Sequence, residues 1–184
     1  MKVISEDIKK GEFKSVYLLY GAEEYLKKQY RDRLRNAIAG DDTMNYSYFD
    51  SDNASVKDII NVCETMPFFA EKRLVIMEDT GFLKSSNDEL ADYIKHIPDY
   101  LVIVMVEKVV DKRNKVYKAI DSVGYVCEMK PQTPATLEKW IAGLLAKDNL
   151  KISREACDLI LNKTGAGTVS YTHLRAHETL RHLV

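Results

Sequence analysis

Residues 16–30, VYLLYGAEEYLKKQY, pass from an apolar stretch through a single glycine into a charged segment of helical period. A nucleotide-binding protein keeps its phosphate loop at such a juncture, and this one lacks the parts. A working loop reads G-x-x-x-x-G-K-[ST], in which glycine amides cradle the phosphates, lysine neutralises them and the hydroxyl holds magnesium. Gly21 is followed by Ala22, Glu23, Glu24, Tyr25 and Leu26, with no second glycine and no hydroxyl after Lys27. Glu23 and Glu24 are expected in the first helical turn, where they complement the helix dipole and repel a phosphate. The degenerate loop Gly21, Ala22, Glu23, Glu24 is therefore not expected to bind nucleotide, and no cofactor is implied.

Working outward, short β-rich runs alternate with helical patterns. Leu26, Tyr30, Leu34 and Ile38 recur every four residues and place one apolar face on a helix over 22–38. A strand over 46–50 precedes a helix with Val56, Ile59, Ile60, Cys63 and Met66 on its stripe, which Pro67 stops. Residues 74–79 and 100–106 are apolar throughout, as expected of central parallel strands covered on both faces. Helices over 89–97 and 112–123 and a fifth strand over 124–129 complete the pattern. The expected fold is α/β: a doubly wound, mostly parallel five-stranded sheet flanked by helices. Pro131 and Pro134 punctuate the chain, and a helix follows, capped by Thr133 or Thr136 and carrying Leu137, Trp140, Ile141, Leu144 and Leu145. Another, beginning at Ser153, carries Ala156, Leu159, Ile160 and Leu161. Two helices without a strand between them put a domain boundary near Pro131, giving an α/β domain over 1–130 and the start of a small helical domain over 131–167.

Composition excludes several classes. Lys plus Arg is 27 against 28 for Asp plus Glu among 184 residues, so no global field draws the chain to DNA or anionic lipid. The run 101–106 is far shorter than the ~20 residues of a membrane helix, and the charged start does not read as a signal peptide. Cys63, Cys127 and Cys157 show no C-x-x-C spacing and read as buried thiols of a cytoplasmic protein. No nucleophile–base arrangement stands out. Glu78 and Asp79 follow an apolar strand as a magnesium-binding pair would, but without a lysine-bearing loop a solvated strand end is the favoured reading. Lys27, Lys28, Arg31 and Arg35 form a basic stripe read as a solvated face. Lys108, Lys112, Arg113, Lys115 and Lys118 form a denser group, in which Lys112, Arg113 and Lys115 are the candidate DNA contacts beside the same bland reading.

TMPFFAEKRLVIMED, residues 65–79, carries a sharper signal. Pro67 ends a helix, so Phe68 and Phe69 fall in the short link before a strand. Taken alone, two rings plugging helix to sheet is the simpler reading, and a solvent-facing wedge is the alternative.

VYLLYGAEEYLKKQYRDRL at 16–34, TMPFFAEKRLVIMEDTGFL at 65–83 and DKRNKVYKAIDSVGYVCEMKPQTPATLEKWI at 111–141 together resemble the delta subunit of bacterial DNA polymerase III, in order and spacing. The resemblance implies an AAA+-like first domain with a degenerate phosphate loop, then a helical second domain and a helical collar. It implies a non-catalytic subunit of a DNA polymerase that binds and opens the ring-shaped sliding clamp without hydrolysing ATP. Its partners would be the clamp, the gamma/tau and delta-prime loader subunits and primer–template DNA. The family's hydrophobic clamp-binding pair maps onto Phe68 and Phe69, with Met66 and Pro67 beside it. The alternatives are an ATPase with an atypical loop and a general DNA-binding module.

The end of the chain departs in composition, with three of the four histidines at His173, His177 and His182. Their spacing does not fit a zincin motif. Residues 169–179, VSYTHLRAHET, instead resemble the read-through translation of a transposon-based sequencing adapter, which also accounts for Leu183 and Val184. Residues 168–184 are accordingly expected to be non-native and the natural sequence to be cut near Gly167. Amplifying the locus from source DNA tests this, the same histidine-rich end overturning it.

Overall fold

The most apolar runs pair with one another. In the computed structural model, which describes residues 1–164 apart from 86, 132, 148 and 149, β1 (Val16–Tyr20), β3 (Arg73–Glu78) and β4 (Leu101–Glu107) form the middle of a five-stranded sheet. β2 (Tyr46–Phe49) and β5 (Tyr125–Glu128) are its edges, in the order β2-β3-β4-β1-β5. Every pairing is parallel, with Val16 opposite Ile103, Arg73 opposite Leu101, Tyr46 opposite Leu74 and Tyr17 opposite Tyr125. Continuous apolar sequence follows from this position: each residue of β1 and β4 is buried, whereas the edges YSYF and YVCE are partly wet. Parallel neighbours need crossover segments, and helices supply them.

The helices are α2 (Glu24–Ile38), α3 (Val56–Cys63), α4 (Asp88–Ile94) and α5 (Lys115–Val123), preceded by α1 (Lys2–Lys10). Ile59, Cys63, Leu90, Ile94, Val116 and Ile120 join Leu18, Val75, Ile103 and Met105 in one core. Each CH2 removed from water there contributes about 0.8 kcal/mol.

Several boundaries differ from the sequence reading. The charged segment before β1, which does not read as a signal peptide, forms α1, whose Ile4 is buried. Its Asp7 carboxylate accepts from the Tyr17 hydroxyl at 2.8 Å, and burial raises the Tyr17 pKa. α2 begins at Glu24, so Glu23 precedes the first turn rather than occupying it. α3 ends at Cys63, short of Pro67, and Met66 leaves the apolar stripe for solvent. Pro67 accounts for the stop, having no N–H for the Cys63 carbonyl four residues back, and the Tyr100 hydroxyl lies 3.4 and 3.2 Å from the Cys63 and Glu64 carbonyl oxygens left without helical donors. α5 starts at Lys115 because Asn114 caps it, accepting from the Val116 N–H at 2.8 Å. Lys112 and Arg113 therefore sit in the preceding turn. All three cysteines are buried and unbridged, and burial pushes the Cys63 thiol up to about 12, leaving it inert at neutral pH.

The chain divides into two compact units, Met1–Ala22 with Lys27–Met129, and Glu23–Leu26 with the segment from Lys130. In the second unit α6 (Pro134–Lys147) and α7 (Arg154–Thr164) pack together, with Leu137, Ile141 and Cys157 buried. Thr133 precedes Pro134 and its hydroxyl lies 3.4 Å from the Thr136 nitrogen, while Ser153 accepts from the Ala156 N–H at 3.2 Å. Both caps match the expected starts. The expected core positions Trp140, Leu144, Ile160 and Leu161, together with His173, His177, His182 and Gly167, lie outside the residues whose side chains are described.

Candidate partner-binding site and the closed nucleotide crevice

Strand order reverses beside β1, and the crevice at the carboxyl ends of β1 and β4 is where a doubly wound sheet receives a ligand. Here the chain's own polar groups engage one another, and the backbone on the β5 side of β1 is tightly packed. Gly21 leaves β1 at φ 120°, and a Cβ on it would lie 2.5 Å from the Met129 carbonyl oxygen. The close approach belongs to the segment leaving β5, whose Met129 N–H donates to the Tyr20 carbonyl at 2.6 Å. Thus the glycine admits the backbone that continues β5 beside the end of β1. Lys27 is 4% exposed, and its Nζ donates to the Glu107 backbone carbonyl at 3.2 Å. The Glu107 side chain, 1% exposed, accepts from the Thr80 hydroxyl at 3.0 Å and the Gly81 N–H at 3.3 Å.

Glu78 and Asp79 are not a free magnesium pair, and Glu78 is not the solvated strand end expected of it. The Arg31 guanidinium pairs with Glu78, and the Tyr48 hydroxyl donates to the same carboxylate at 3.0 Å. Asp79 lies 3.6 Å from Lys108. Of the α2 stripe only Lys28 is exposed as a solvated face would be: Lys27 is buried, Arg31 pairs inward and Arg35 stacks 4.6 Å over the Tyr46 ring. A four-residue spacing aims these three cations at the sheet. The second basic group is locally compensated. Lys112 lies 3.7 Å from Glu128, Arg113 is 3.1 Å from Asp111 and Lys115 is 2.6 Å from Asp88. Exposed pairs of this kind contribute at most ~1 kcal/mol, but they cancel the local field that DNA binding would use.

Burial is the main cause that raises the Glu107 carboxyl pKa, partly offset by its Thr80 hydrogen bond. The folded state then holds a proton that the unfolded chain has released, so stability contributed at low pH is lost as pH rises from the ordinary carboxylate range through the raised value. Glu107→Gln is expected to flatten that decline in urea unfolding at pH 5 and pH 8. A variant that declines as steeply as the parent would place the linkage elsewhere.

At the opposite, amino-terminal end of β3 lies the aromatic pair. Phe68 is 57% and Phe69 95% exposed, with Met66 at 72% and Pro67 half-buried. The two rings meet edge to face, centroids 4.4 Å apart. Neither ring plugs helix to sheet, which the simpler sequence reading expected. Phe69 also holds φ 52°, a left-handed conformation costly for a bulky side chain. The structure adds two residues that the sequence did not single out. Met44 is 64% exposed, and the adjoining Asn45 is buried with its side-chain amide on the Phe68 backbone. An asparagine before a strand carries no signal of such a role.

Because its ring is almost wholly in water, Phe69→Asn is expected to leave the urea midpoint unchanged or raise it, by up to ~1 kcal/mol, since asparagine tolerates left-handed φ. A loss larger than that would mean the ring packs in the free protein.

A parallel α/β unit whose first loop lacks the second glycine and hydroxyl of a phosphate loop, with an apolar pair displayed at the other end of the sheet, defines an AAA+-like module. Among solved structures, a RuvB variant of Thermotoga maritima shares the fold, with a TM-score of 0.52 and 14% identity over 89% of this chain and 54% of that one. The family profile for DNA polymerase III, delta subunit, matches residues 17–130, and the chain belongs to that family. It is 30% identical to the DNA polymerase III subunit delta of Bacillus subtilis (strain 168), over 83% of this chain and 48% of that protein. The solved Bacillus subtilis DNA clamp loader delta protein (YqeN) superposes with a TM-score of 0.72 at 27% identity, covering 92% of this chain and 54% of that one. The chain thus spans about half the length of these relatives. Among the described residues no helix is long and apolar enough to cross a membrane, and no group of side chains is placed to hold a metal ion.

Proposed function

We propose that the chain carries the clamp-binding part of a clamp-loader delta subunit, and that Phe68 and Phe69, flanked by Met66 and Pro67, enter an apolar pocket on the sliding clamp. The exposed, mutually packed ring pair carries this reading. A monomer gains nothing by holding two phenyl groups in water, whereas a partner that covers them gains ~25 cal/mol per Å2 of apolar surface. Opening the ring follows if neighbouring surface of the α/β unit fits the opened clamp better than the closed one, because equal affinity for both forms shifts nothing.

Hydrolysis is left to other subunits in this reading, and the crevice supports it: Met129 crowds Gly21, Lys27 is engaged with Glu107, and Glu78 with Arg31. In the cytoplasm the full-length protein would act with gamma/tau and delta-prime subunits on primer–template DNA. Lys112, Arg113 and Lys115 retain only a minor role there, since each lies beside an acid. Calorimetry of the chain against its cognate clamp tests the proposal, micromolar or tighter binding being expected. Titration with ATP and magnesium is expected to give no heat. Nucleotide binding in the absence of clamp binding would overturn the reading in favour of an ATPase.

A further inference from the structure

We propose that Asn45 is the positioning residue of the aromatic pair, holding Phe68 against the sheet so that a partner meets a wedge already formed. The proposal rests on the clamp-binding reading of Phe68 and Phe69. Asn45 is 1% exposed and addresses both main-chain groups of one residue: its Oδ1 accepts from the Phe68 N–H at 2.6 Å and its Nδ2 donates to the Phe68 carbonyl at 2.8 Å. A side-chain amide used this way imitates a strand partner and restrains Phe68 φ and ψ together. The second Nδ2 hydrogen goes to Asp42 Oδ2 at 2.6 Å. With one donor and two acceptors around it, the amide can be oriented in only one way.

Two further contacts make the anchor rigid. The Asn45 carbonyl accepts from the Leu74 N–H at 2.8 Å, joining it to β3 in the core. Asp42 Oδ1 accepts from the N–H groups of Met44 and Asn45, at 2.7 and 3.2 Å. These donors, the Asn45 side chain first, hold the Asp42 carboxyl below the usual carboxylate range, so the anchor persists at neutral pH. The chain 23 residues on from Asn45 is thereby fixed at the amino-terminal end of the sheet, from which β3 departs. A loop that held two exposed rings without such an anchor would have to be ordered by the partner, and that ordering would be drawn from the binding energy. Phe69, at φ 52°, follows directly and inherits the restraint.

The test uses the whole 184-residue chain, with Asn45→Ala made in the parent and in the Phe68→Ala, Phe69→Ala background. In the free protein the Phe68 amide is expected to be protected from hydrogen exchange, and Asn45→Ala to accelerate it about tenfold or more while Ile76 and Val104 in the sheet stay protected. Clamp affinity is expected to fall about tenfold in the parent background and not to fall further where the rings are already absent. Unchanged exchange at Phe68, or equal losses of affinity in both backgrounds, would overturn the proposal. If removing the rings leaves clamp affinity intact, the clamp reading fails while the exchange result still decides the anchor. Should Asn45→Ala not fold, Asp42→Ala, at a half-buried position, loosens the amide instead by removing its third hydrogen bond. Faster exchange confined to residues 68 and 69 is the supporting result, and a parent chain with no protection at Phe68 is the opposing one.

Discussion

Phe68→Ala with Phe69→Ala is expected to weaken clamp binding by a factor of 100 to 1,000, and to leave folding untouched. Each ring carries ~150 to 250 Å2 of surface, so covering the still-exposed part contributes a few kcal/mol per ring at ~25 cal/mol per Å2. Part of that is offset by association costs. Central aromatic anchors commonly lose ~2 kcal/mol or more on truncation, and two packed edge to face, 4.4 Å apart, are expected to act as a unit rather than additively. Stability behaves differently because the rings are already wet at 57% and 95% exposure. The double variant should unfold within ~0.5 kcal/mol of the parent in urea. Calorimetry against the clamp and a denaturant curve measure both quantities, and clamp affinity held within twofold in a folded double variant would refute the wedge.

The second large effect is expected at Gly21, where alanine should destabilise the fold by about 3 kcal/mol, or roughly 1 M or more in urea midpoint. Its φ of 120° disfavours any Cβ, and that Cβ would stand 2.5 Å from the Met129 oxygen, 3.1 Å from its carbon and 3.2 Å from its nitrogen. Backbone cannot rotate aside as a flexible side chain can. Relief would require the segment leaving β5 to part from β1, breaking the 2.6 Å bond from the Met129 N–H to the Tyr20 carbonyl. Gly81→Ala is the control: its φ is 80°, yet nothing lies within 4 Å of the added carbon, and only the conformational cost of ~1–2 kcal/mol remains. Equal losses at the two glycines would show that crowding by Met129 does not explain the residue at position 21.

That glycine opens a loop that starts as a phosphate loop does and then lacks its second glycine and hydroxyl. Lys27, seven positions into the motif counted from Gly21, donates to a main-chain oxygen of β4.

The runs VYLLY, RLVIME and LVIVMVE could be assigned to interior parallel strands from residue type alone, since a strand covered on both faces has no polar positions to alternate with. The missing parts of the phosphate loop were equally plain, being a matter of which residues are present. Helix ends were less so. Pro67 ends α3 at Cys63 by withholding the N–H that its carbonyl needs, but that Tyr100, 37 residues away, reaches that carbonyl is recorded by no local pattern. The basic stripe on α2 misled for the same reason: Lys27 and Arg31 look solvated until the ends of β3 and β4 stand beside them.

Local sequence determined what period and composition can encode: strand against helix, interior against edge, and a crevice without the groups that bind nucleotide. Tertiary structure alone decided which way the two phenyl rings face and what keeps them there, because a residue's exposure depends on the distant segments that surround it. Phe68 meets the Asn45 amide only once β2 and β3 lie side by side.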